Sequence, residues 1–590
     1  MCGIAGMMTV NGEAPALAGL SAMEGALRHR GPDGDGHYRS GDVGMVQTRL
    51  AIIDLATGDQ PLYEPGGAAL VANGEIYNYI ELKQTLPGAV FATGSDCELP
   101  LHLYRRFGLD FPRHLRGMYA IALHDPGAGR LVLARDPFGI KPLYYVETPQ
   151  GLAFASEPQA LIRGGLVKPA LNIAARNELL QLQFTTGRET VFQGIHRVLP
   201  GETVVVTKGR IIERRRIEAL PAPGAKPPES EAQALAAFDR AFADSVNVHQ
   251  RADVPYGMFL SGGIDSSAVL AMMARLNDRP VMAFTVGFPN TEPADERAAA
   301  RRVAVALGAE HVEIEFHEED FWRLLPEIAR VMDDPAADYA VLPTYKLAAS
   351  ARAAGLKVIL SGEGGDELMA GYGRYRSLMR PWWRGGKLLR GKGNLDKLGI
   401  LRGDLADWRD GIEASELNAS LPGRSRLQVA QATDCADWLP NDLLTKLDRC
   451  LMAHGVEGRT PFLDPVVARA VFRLPDEMKV RKGLGKWLLR RWVESHVPEA
   501  QPMAKKRGFT VPVAEWIARR GAELGKLVAA QPGVAEICVP GAVENLFLEA
   551  ERKRAGFACW TLLFYALWHR HHIERRPAAG DAFATLAARG

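Results

Sequence analysis

A cysteine stands at position 2, directly after the initiator methionine. Removal of Met1 would leave one residue carrying both a thiol and a free amine. An α-amine with a pKa of about 7.7–8.0 can take up a thiol proton near neutrality, so such a cysteine carries its own base. Far downstream, FLSGGIDSS at 259–267 sets an apolar strand, a small-residue turn and a helix start in succession. Backbone N–H groups and the helix dipole can cradle a phosphate there. Asp265, inside that loop, would repel a phosphate unless a cation intervened, and magnesium favours carboxylate together with phosphate oxygens. Asp366, in LSGEGGDE at 360–367, poses the same requirement at a second glycine turn. Both aspartates are candidate magnesium ligands. The chain contains no GxxxxGK[ST], which argues against γ-phosphate transfer by a Walker-type loop.

These groups need elements to position them. Through about residue 215 the sequence is a run of short β-rich segments cut by turn signals, such as AIIDLATGDQPLY and LVLARDPFGIKPLYY. Leu220 to Ser230 has four prolines and a glycine and reads as an interdomain linker. Beyond it, helical stretches at 231–249, 266–275 and 295–307 alternate with the apolar runs VPYGMFL, VMAFTVGF and HVEIEF, and KVILSG follows at 357–362. Strands alternating with helices predict a parallel sheet with crossover helices. Ligands bind beyond the carboxyl ends of such strands, where both glycine turns would fall. The remainder reads as mainly helical.

Composition bounds the function. A chain of 590 residues exceeds one ordinary core, and 71 basic against 69 acidic residues give no field that would steer it to nucleic acid or a membrane. The six cysteines, at 2, 97, 435, 450, 538 and 559, show no zinc-site or disulfide spacing, which suits a reducing cytoplasm. The N-terminus lacks a basic segment followed by an apolar stretch, so no secretory signal is expected. The longest apolar run, Phe557 to Trp568, is too short to span a bilayer and predicts a buried helix.

MCGIAG, RHRGPDG at 28–34, RLAIID at 49–54, NGEIYNY at 73–79 and GSDCE at 94–98 occur in that order. Together they resemble the class II glutamine amidotransferase domain, an N-terminal-nucleophile αββα sandwich of two sheets between helices. The resemblance implies that Cys2 attacks the glutamine side-chain amide and that Asn73 and Gly74 stabilise the oxyanion. It places glutamine against Arg49, Leu50, Ala51, Ile52, Ile53, Asn73, Gly74, Glu75 and Asp96. The residue types agree: the Arg49 fork suits an α-carboxylate, and Glu75 and Asp96 suit an ammonium. Taken singly, each has a plainer reading, an exposed ion pair for Arg49, a hairpin turn for Asn73-Gly74 and a cap for Asp96.

SGGIDS resembles the pyrophosphate loop of the N-type ATP pyrophosphatases, which adenylate a carboxylate or carbonyl. From that resemblance ATP, a co-substrate with Mg2+, meets Leu260, Ser261, Gly262, Gly263, Asp265, Ser266, Val286, Ser361 and Gly362. Glu363 sits where an acyl-adenylate meets ammonia, although a surface charge or N-cap is its plainer reading. DLLTKLDRCLMAHGVEGRTPFLD at 442–464 resembles a segment of the asparagine synthetases and close relatives. In GKWLLR at 485–490, Lys486 is the candidate cation for pyrophosphate or the adenylate, with Lys482 as the alternative. GEGGDELMAGY departs from the family, which more often has alanine or serine at 365 and FGGY at the end.

The resemblance thus implies an α/β multidomain chain. Residues 2–215 form the glutaminase domain, 216–230 a linker, 231–530 a parallel-sheet ATP pyrophosphatase domain with a mainly helical C-terminal part, and 531–590 a helical tail. Its substrates would be glutamine, aspartate and ATP, with no nucleic-acid or membrane partner, and a homodimer is left open. His569, His571 and His572, beside Arg570, Arg575 and Arg576, are read as a solvated basic end rather than metal ligands. Arg380 to Lys397, with six basic residues and Trp382 and Trp383, is read as an exposed insertion.

Overall fold

The computed structural model describes residues 2–224, 230–289, 291, 295–380, 383, 388–505 and 510–588. Met1, the linker residues 225–229 and, in the 380–397 insertion, residues 381, 382 and 384–387 with Trp382 lie outside them.

Twelve strands build the first part: β1 (Cys2–Thr9), β2 (Gly34–Ser40), β3 (Val43–Arg49), β4 (Leu62–Tyr63), β5 (Ala69–Ile76), β6 (Gly117–Asp125), β7 (Arg130–Arg135), β8 (Tyr144–Thr148), β9 (Gly151–Ala155), β10 (His196–Arg197), β11 (Glu202–Thr207) and β12 (Arg210–Arg216). They form two antiparallel sheets, ordered β10-β8-β9-β1-β3-β2 and β12-β11-β7-β6-β5-β4. Period-two alternation sends Ile4, Met8, Val43, Met45, Ala69 and Val71 into the space between the sheets. Ala5 and Met7 face the other way, onto helices Leu17–Leu27 and Pro158–Arg163. The outer face of the second sheet packs on Leu99–Phe107. This is the expected αββα layering, with one correction. Of AIIDLATGDQPLY only Leu62–Tyr63 is a strand, and the rest is a loop.

The second sheet system is parallel: β13 (Tyr256–Phe259), β14 (Met282–Gly287), β15 (Glu310–Glu315), β16 (Val358–Leu360) and β17 (Glu457–Arg459), ordered β15-β14-β13-β16-β17. The chain moves outward from β13 to β15 and then crosses back to β16 on the other side of β13. The strand order therefore reverses between β13 and β16, and in such sheets ligands bind at the carboxyl ends of the strands flanking that point. Both glycine turns leave from those two ends.

The rest is helical. A π-helix, Asp434–Leu444, runs into the helix Thr445–Met452. The expected solvated basic end holds at Arg575, which is exposed, and is overturned before it: helix Lys553–His572 is buried along nearly its whole length, including His569, Arg570 and His572. Its tryptophans tie it to the parallel-sheet part, Trp560 Nε1 donating to the Ala337 carbonyl at 2.6 Å and Trp568 Nε1 to the Met332 carbonyl at 3.0 Å. His572 Nε2 lies 3.0 Å from the Ala329 carbonyl, and burial pushes its pKa well down. The 380–397 segment is also less exposed than expected. Trp383 is open to solvent, but Leu389 and Leu395 are buried.

All six cysteines are free and buried. Among the described residues no helix is long and apolar enough to cross a membrane. Trp568→Ala should cost about 3–5 kcal/mol of stability, because a buried ring and its hydrogen bond are lost together. Urea denaturation followed by far-UV circular dichroism checks this, and an unchanged midpoint would make the C-terminal helix an appendage.

Candidate active sites

The inward-facing rows that build the sandwich core continue to one end of the sheets. On β1 the row through Met8 and Ile4 ends at Cys2, on β3 the row through Val43 and Met45 ends at Arg49, and on β5 the row through Ala69 and Val71 reaches Asn73 and Glu75. Cys2 and Arg49 are cross-strand partners. The backbone nitrogen of Cys2 donates to Asn73 Oδ1 at 3.2 Å, which turns the Asn73 amide so that its Nδ2 is buried with no hydrogen-bond partner among the described residues. A buried donor left without an acceptor is costly, and beside a thiol it is suited to an oxyanion that forms only during reaction.

Asn73 and Gly74 lie inside β5, so the hairpin-turn reading fails. Gly74 is demanded by close approach: a Cβ there would lie 2.1 Å from the Met118 carbonyl oxygen. Arg49 is buried rather than surface-exposed, its fork held by the Asp54 carbonyl at 2.5 Å and the exposed Asp59 carboxylate at 2.6 Å. Asp96 is no helix cap, since it accepts from the Ile76 nitrogen at 2.6 Å and Ser95 does the capping. Burial raises its pKa. Glu75 is also buried and held well above the usual carboxylate range by desolvation and by the nearby Glu457 and Asp96. Its nearest cation is Arg459 on β17, at 3.4 Å. Leu50 and Ile52 are packed into a core shared with Leu260 and Met258. That loop is tied to the second domain, the Ile52 carbonyl accepting from the Asp253 nitrogen at 2.9 Å and the Ala51 carbonyl from Lys357 Nζ at 3.4 Å. The side chains of Leu50 and Ile52 are thereby committed to packing. Ile53 offers its carbonyl to Arg49, at 3.5 Å.

Gly263 precedes helix Ile264–Leu276, so the N-terminal end of the helix faces the loop. Ser261 and Ser266 brace the turn: Gly263 N donates to Ser261 Oγ at 3.1 Å, and Ser261 N to Ser266 Oγ at 3.1 Å. Gly262 leaves the loop slim, since a Cβ there would come within 2.9 Å of Ala299 Cβ. The two glycine loops touch. A Cβ on Gly362 would stand 2.9 Å from Asp265 Cβ, and one on Gly365 would stand 2.4 Å from Asp265 Oδ1. The glycine that departs from the family at 365 therefore gives the Asp265 carboxylate room. The other departure, Ala370, adopts φ +60°, a conformation that glycine takes without strain. Leu260 and Val286 are core residues, and the Leu260 main chain is engaged within the sheet, its nitrogen donating to the Phe284 carbonyl at 2.8 Å and its carbonyl accepting from Thr285 Oγ1 at 2.6 Å. Ser361 is buried, its nitrogen donating to the Arg459 carbonyl at 2.9 Å.

Lys486 joins the loops. Its ammonium contacts Asp265 Oδ2 and lies 2.7 Å from Asp366 Oδ1, in a pocket where the lysine is 1% exposed. Burial alone would lower its pKa, but the two carboxylates outweigh this and raise it. Lys482, the alternative, is exposed. Glu363 lies 3.8 Å from Lys446, which also pairs with Asp338 at 2.9 Å. Burial followed by the neighbouring acids raises the Glu363 pKa even with Lys446 nearby. Asp265 and Asp366 come from different loops and converge on one cation, an all-oxygen anionic donor set that fits a magnesium ion accompanying phosphates.

Residues 237–570 match the asparagine synthase family model, and residues 1–216 match the glutamine amidotransferase domain model. The chain belongs to the asparagine synthase family. Asparagine synthetase [glutamine-hydrolyzing] 1 of Bacillus subtilis is 33% identical, over 94% of this chain and 94% of that protein. A putative asparagine synthetase [glutamine-hydrolyzing] of Mycobacterium tuberculosis is 34% identical over 95% of each. Amidase chry2 of Gibberella zeae is 28% identical over 95% of this chain and 93% of that one. As a member of the asparagine synthase family the chain is a carbon–nitrogen ligase with glutamine as amido donor.

Sequence reasoning passed over Arg30, Asp338, Lys446, Asp448 and Arg459, all of which the fold brings between or beside the two sites. One signal was available: LLTKLDRCLM sets Lys446, Asp448 and Arg449 among leucines, and charges in so apolar a helix must be paired when buried. Lys486→Gln should lower pyrophosphate release about 100-fold or more. Glutamine hydrolysis should stay within about twofold, because the sites are separate. Parallel assays of pyrophosphate and glutamate read both. Gly74→Ala should do the converse, losing glutaminase while ammonia-dependent pyrophosphate release persists.

Proposed function

We propose that this chain makes asparagine from aspartate, glutamine and ATP, giving glutamate, AMP and pyrophosphate through a β-aspartyl-AMP intermediate. The observation that carries this reading is Lys486, a single ammonium clamped by one carboxylate from each glycine loop at the switch point of the parallel sheet.

In the glutaminase half, the amine freed by loss of Met1 takes the Cys2 thiol proton, and the sulfur attacks the glutamine amide carbon. The orphan Nδ2 of Asn73 and the Gly74 N–H receive the oxyanion. Ammonia leaves a glutamyl thioester, which water then opens to glutamate. Arg49 binds the glutamine carboxylate, exchanging Asp59 for it, and Asp96 and Glu75 face the ammonium.

In the synthetase half, the SGG loop and the start of helix Ile264–Leu276 hold the phosphates of ATP, and Lys486 receives charge that develops on departing pyrophosphate. Asp265 and Asp366 would hold magnesium, which when bound offsets phosphate charge. The acceptor carboxylate attacks the α-phosphorus, and ammonia then displaces AMP from the acyl-adenylate. Glu363, its pKa raised, is the group on hand to take the proton from the attacking nitrogen.

A second reading keeps each step and replaces aspartate with another carboxylate, on a peptide or a sugar acid. It is favoured by the relative named an amidase, which matches nearly the whole chain. Aspartate-dependent pyrophosphate release decides the matter. On the first reading aspartate stimulates it and mass spectrometry finds asparagine. Stimulation by another carboxylate with none by aspartate would overturn that reading. Cys2→Ala should abolish glutamine-dependent product and leave ammonia-dependent product within about twofold, and loss of both in a folded variant would rule out separable sites.

A further inference from the structure

The nucleophile strand is held from the other domain. Arg30, in the loop after helix Leu17–Leu27, is 0% exposed. Its Nε donates to the carbonyl of Cys2 at 3.2 Å, and its Nη1 to Glu157 at 2.8 Å. The remaining contacts are bidentate to Asp448 on helix Thr445–Met452, Nη1 to Oδ2 at 2.7 Å and Nη2 to Oδ1 at 2.9 Å. Asp448 is buried and also accepts from Arg449 Nη1 at 2.9 Å, while Arg449 Nε reaches Asp333 at 2.7 Å. Arg30, Glu157 and Asp448 are all buried, so the fork geometry fixes the guanidinium and, through it, the Cys2 peptide.

We propose that Asp448 is a positioning residue for glutamine hydrolysis, supplied by the synthetase domain: it orients Arg30, and Arg30 sets the Cys2 peptide so that the sulfur meets the amide carbon. This rests on Cys2 being the glutaminase nucleophile, as read above. Asp448 contacts Arg30 and Arg449. Its effect runs through one intermediary, and a neutral amide in its place would still fill the space but could accept only one of the two parallel hydrogen bonds from the fork.

Placement matters steeply in such a reaction, since a misalignment of about 1 Å can cost on the order of 100-fold in rate. Glutamine itself is bound elsewhere, by Arg49 and the 50–53 loop. The defect therefore belongs to kcat and not to KM.

The test is a steady-state comparison of the full-length enzyme with Asp448→Asn and Asp448→Glu, with glutaminase and ammonia-dependent pyrophosphate release measured on the same preparations. Asp448→Asn should lower the glutaminase kcat by about 10- to 100-fold with KM for glutamine within about threefold, while the ammonia-dependent rate stays within about twofold. Asp448→Glu, which restores the charge, should recover at least part of that kcat. Three results would overturn the proposal: an unchanged glutaminase kcat, a rise confined to KM, or a parallel fall of both activities in a folded variant. If Asp448→Asn does not fold, Arg30→Lys keeps the charge and loses the fork, and an undiminished kcat there would overturn it equally. Absence of glutaminase in the unmodified enzyme, or its survival in Cys2→Ala, would instead remove the underlying reading.

Discussion

The two domains meet through charges that have been taken out of water, and most of what the molecule does depends on those charges being paired. Arg30 meets Asp448, Arg449 meets Asp333, Arg197 meets Asp334 at 2.7 Å, and Arg116 meets Asp464 at 2.7 Å. In each pair one partner comes from either side of the linker, apart from Arg449–Asp333, which braces the second domain behind Asp448. An ion removed from water costs several kcal/mol unless its partner is in place. Sliding one domain over the other would strand several ions together. Such an interface is a poor source of net stability and a strong source of fixed geometry. The same logic extends to the edge strand β17, where Arg459 pairs with its neighbour Glu457 and also approaches Glu75.

Given that fixed geometry, each site is placed by regular structure. The glutaminase groups end inward-facing strand rows, so the alternation that fills the sandwich also aims Cys2, Arg49 and Asn73 at one opening. The synthetase groups leave the ends of the two strands between which the sheet reverses direction. In the first place the chain holds a local imbalance, and in the second it concentrates charge. Asn73 keeps an unused buried donor, and Asp265 and Asp366 share one ammonium. Imbalances of this kind weaken a resting fold and are retained where a ligand or transition state relieves them.

Local features were legible in the sequence. Alternation and glycine turns gave both sheet systems, and the motifs pointed to Cys2, Asp265 and Asp366, which the fold sets at strand ends and glycine loops. The short strand β17 was not legible, because Glu457, Gly458 and Arg459 carry no β pattern and become a strand only by pairing with β16. The C-terminal histidines were misread for a related reason. Their basic neighbours suggest solvent, yet the apolar helix just before them enters the core and draws His569, Arg570 and His572 in with it. Ion pairs such as Arg30 with Asp448, 418 positions apart, depend wholly on how the domains dock. Nothing in the residues near either partner encodes the other.

The helix Thr445–Met452 lies where the two domains dock. Successive residues on an α-helix advance by about 100°, so Lys446 and Asp448 point about 200° apart. Lys446 faces the acids of the synthetase crevice, Asp338 and Glu363, while Asp448 faces Arg30. Every residue of that helix is buried. Protein interiors are close-packed, so a buried helix shifts as a unit instead of bending at one residue. One face of this element thus meets the acids beside the second glycine loop, and the other meets the guanidinium whose Nε donates to the Cys2 carbonyl. One buried helix thus borders both candidate sites, and the spacing of two residues along it assigns one side to each.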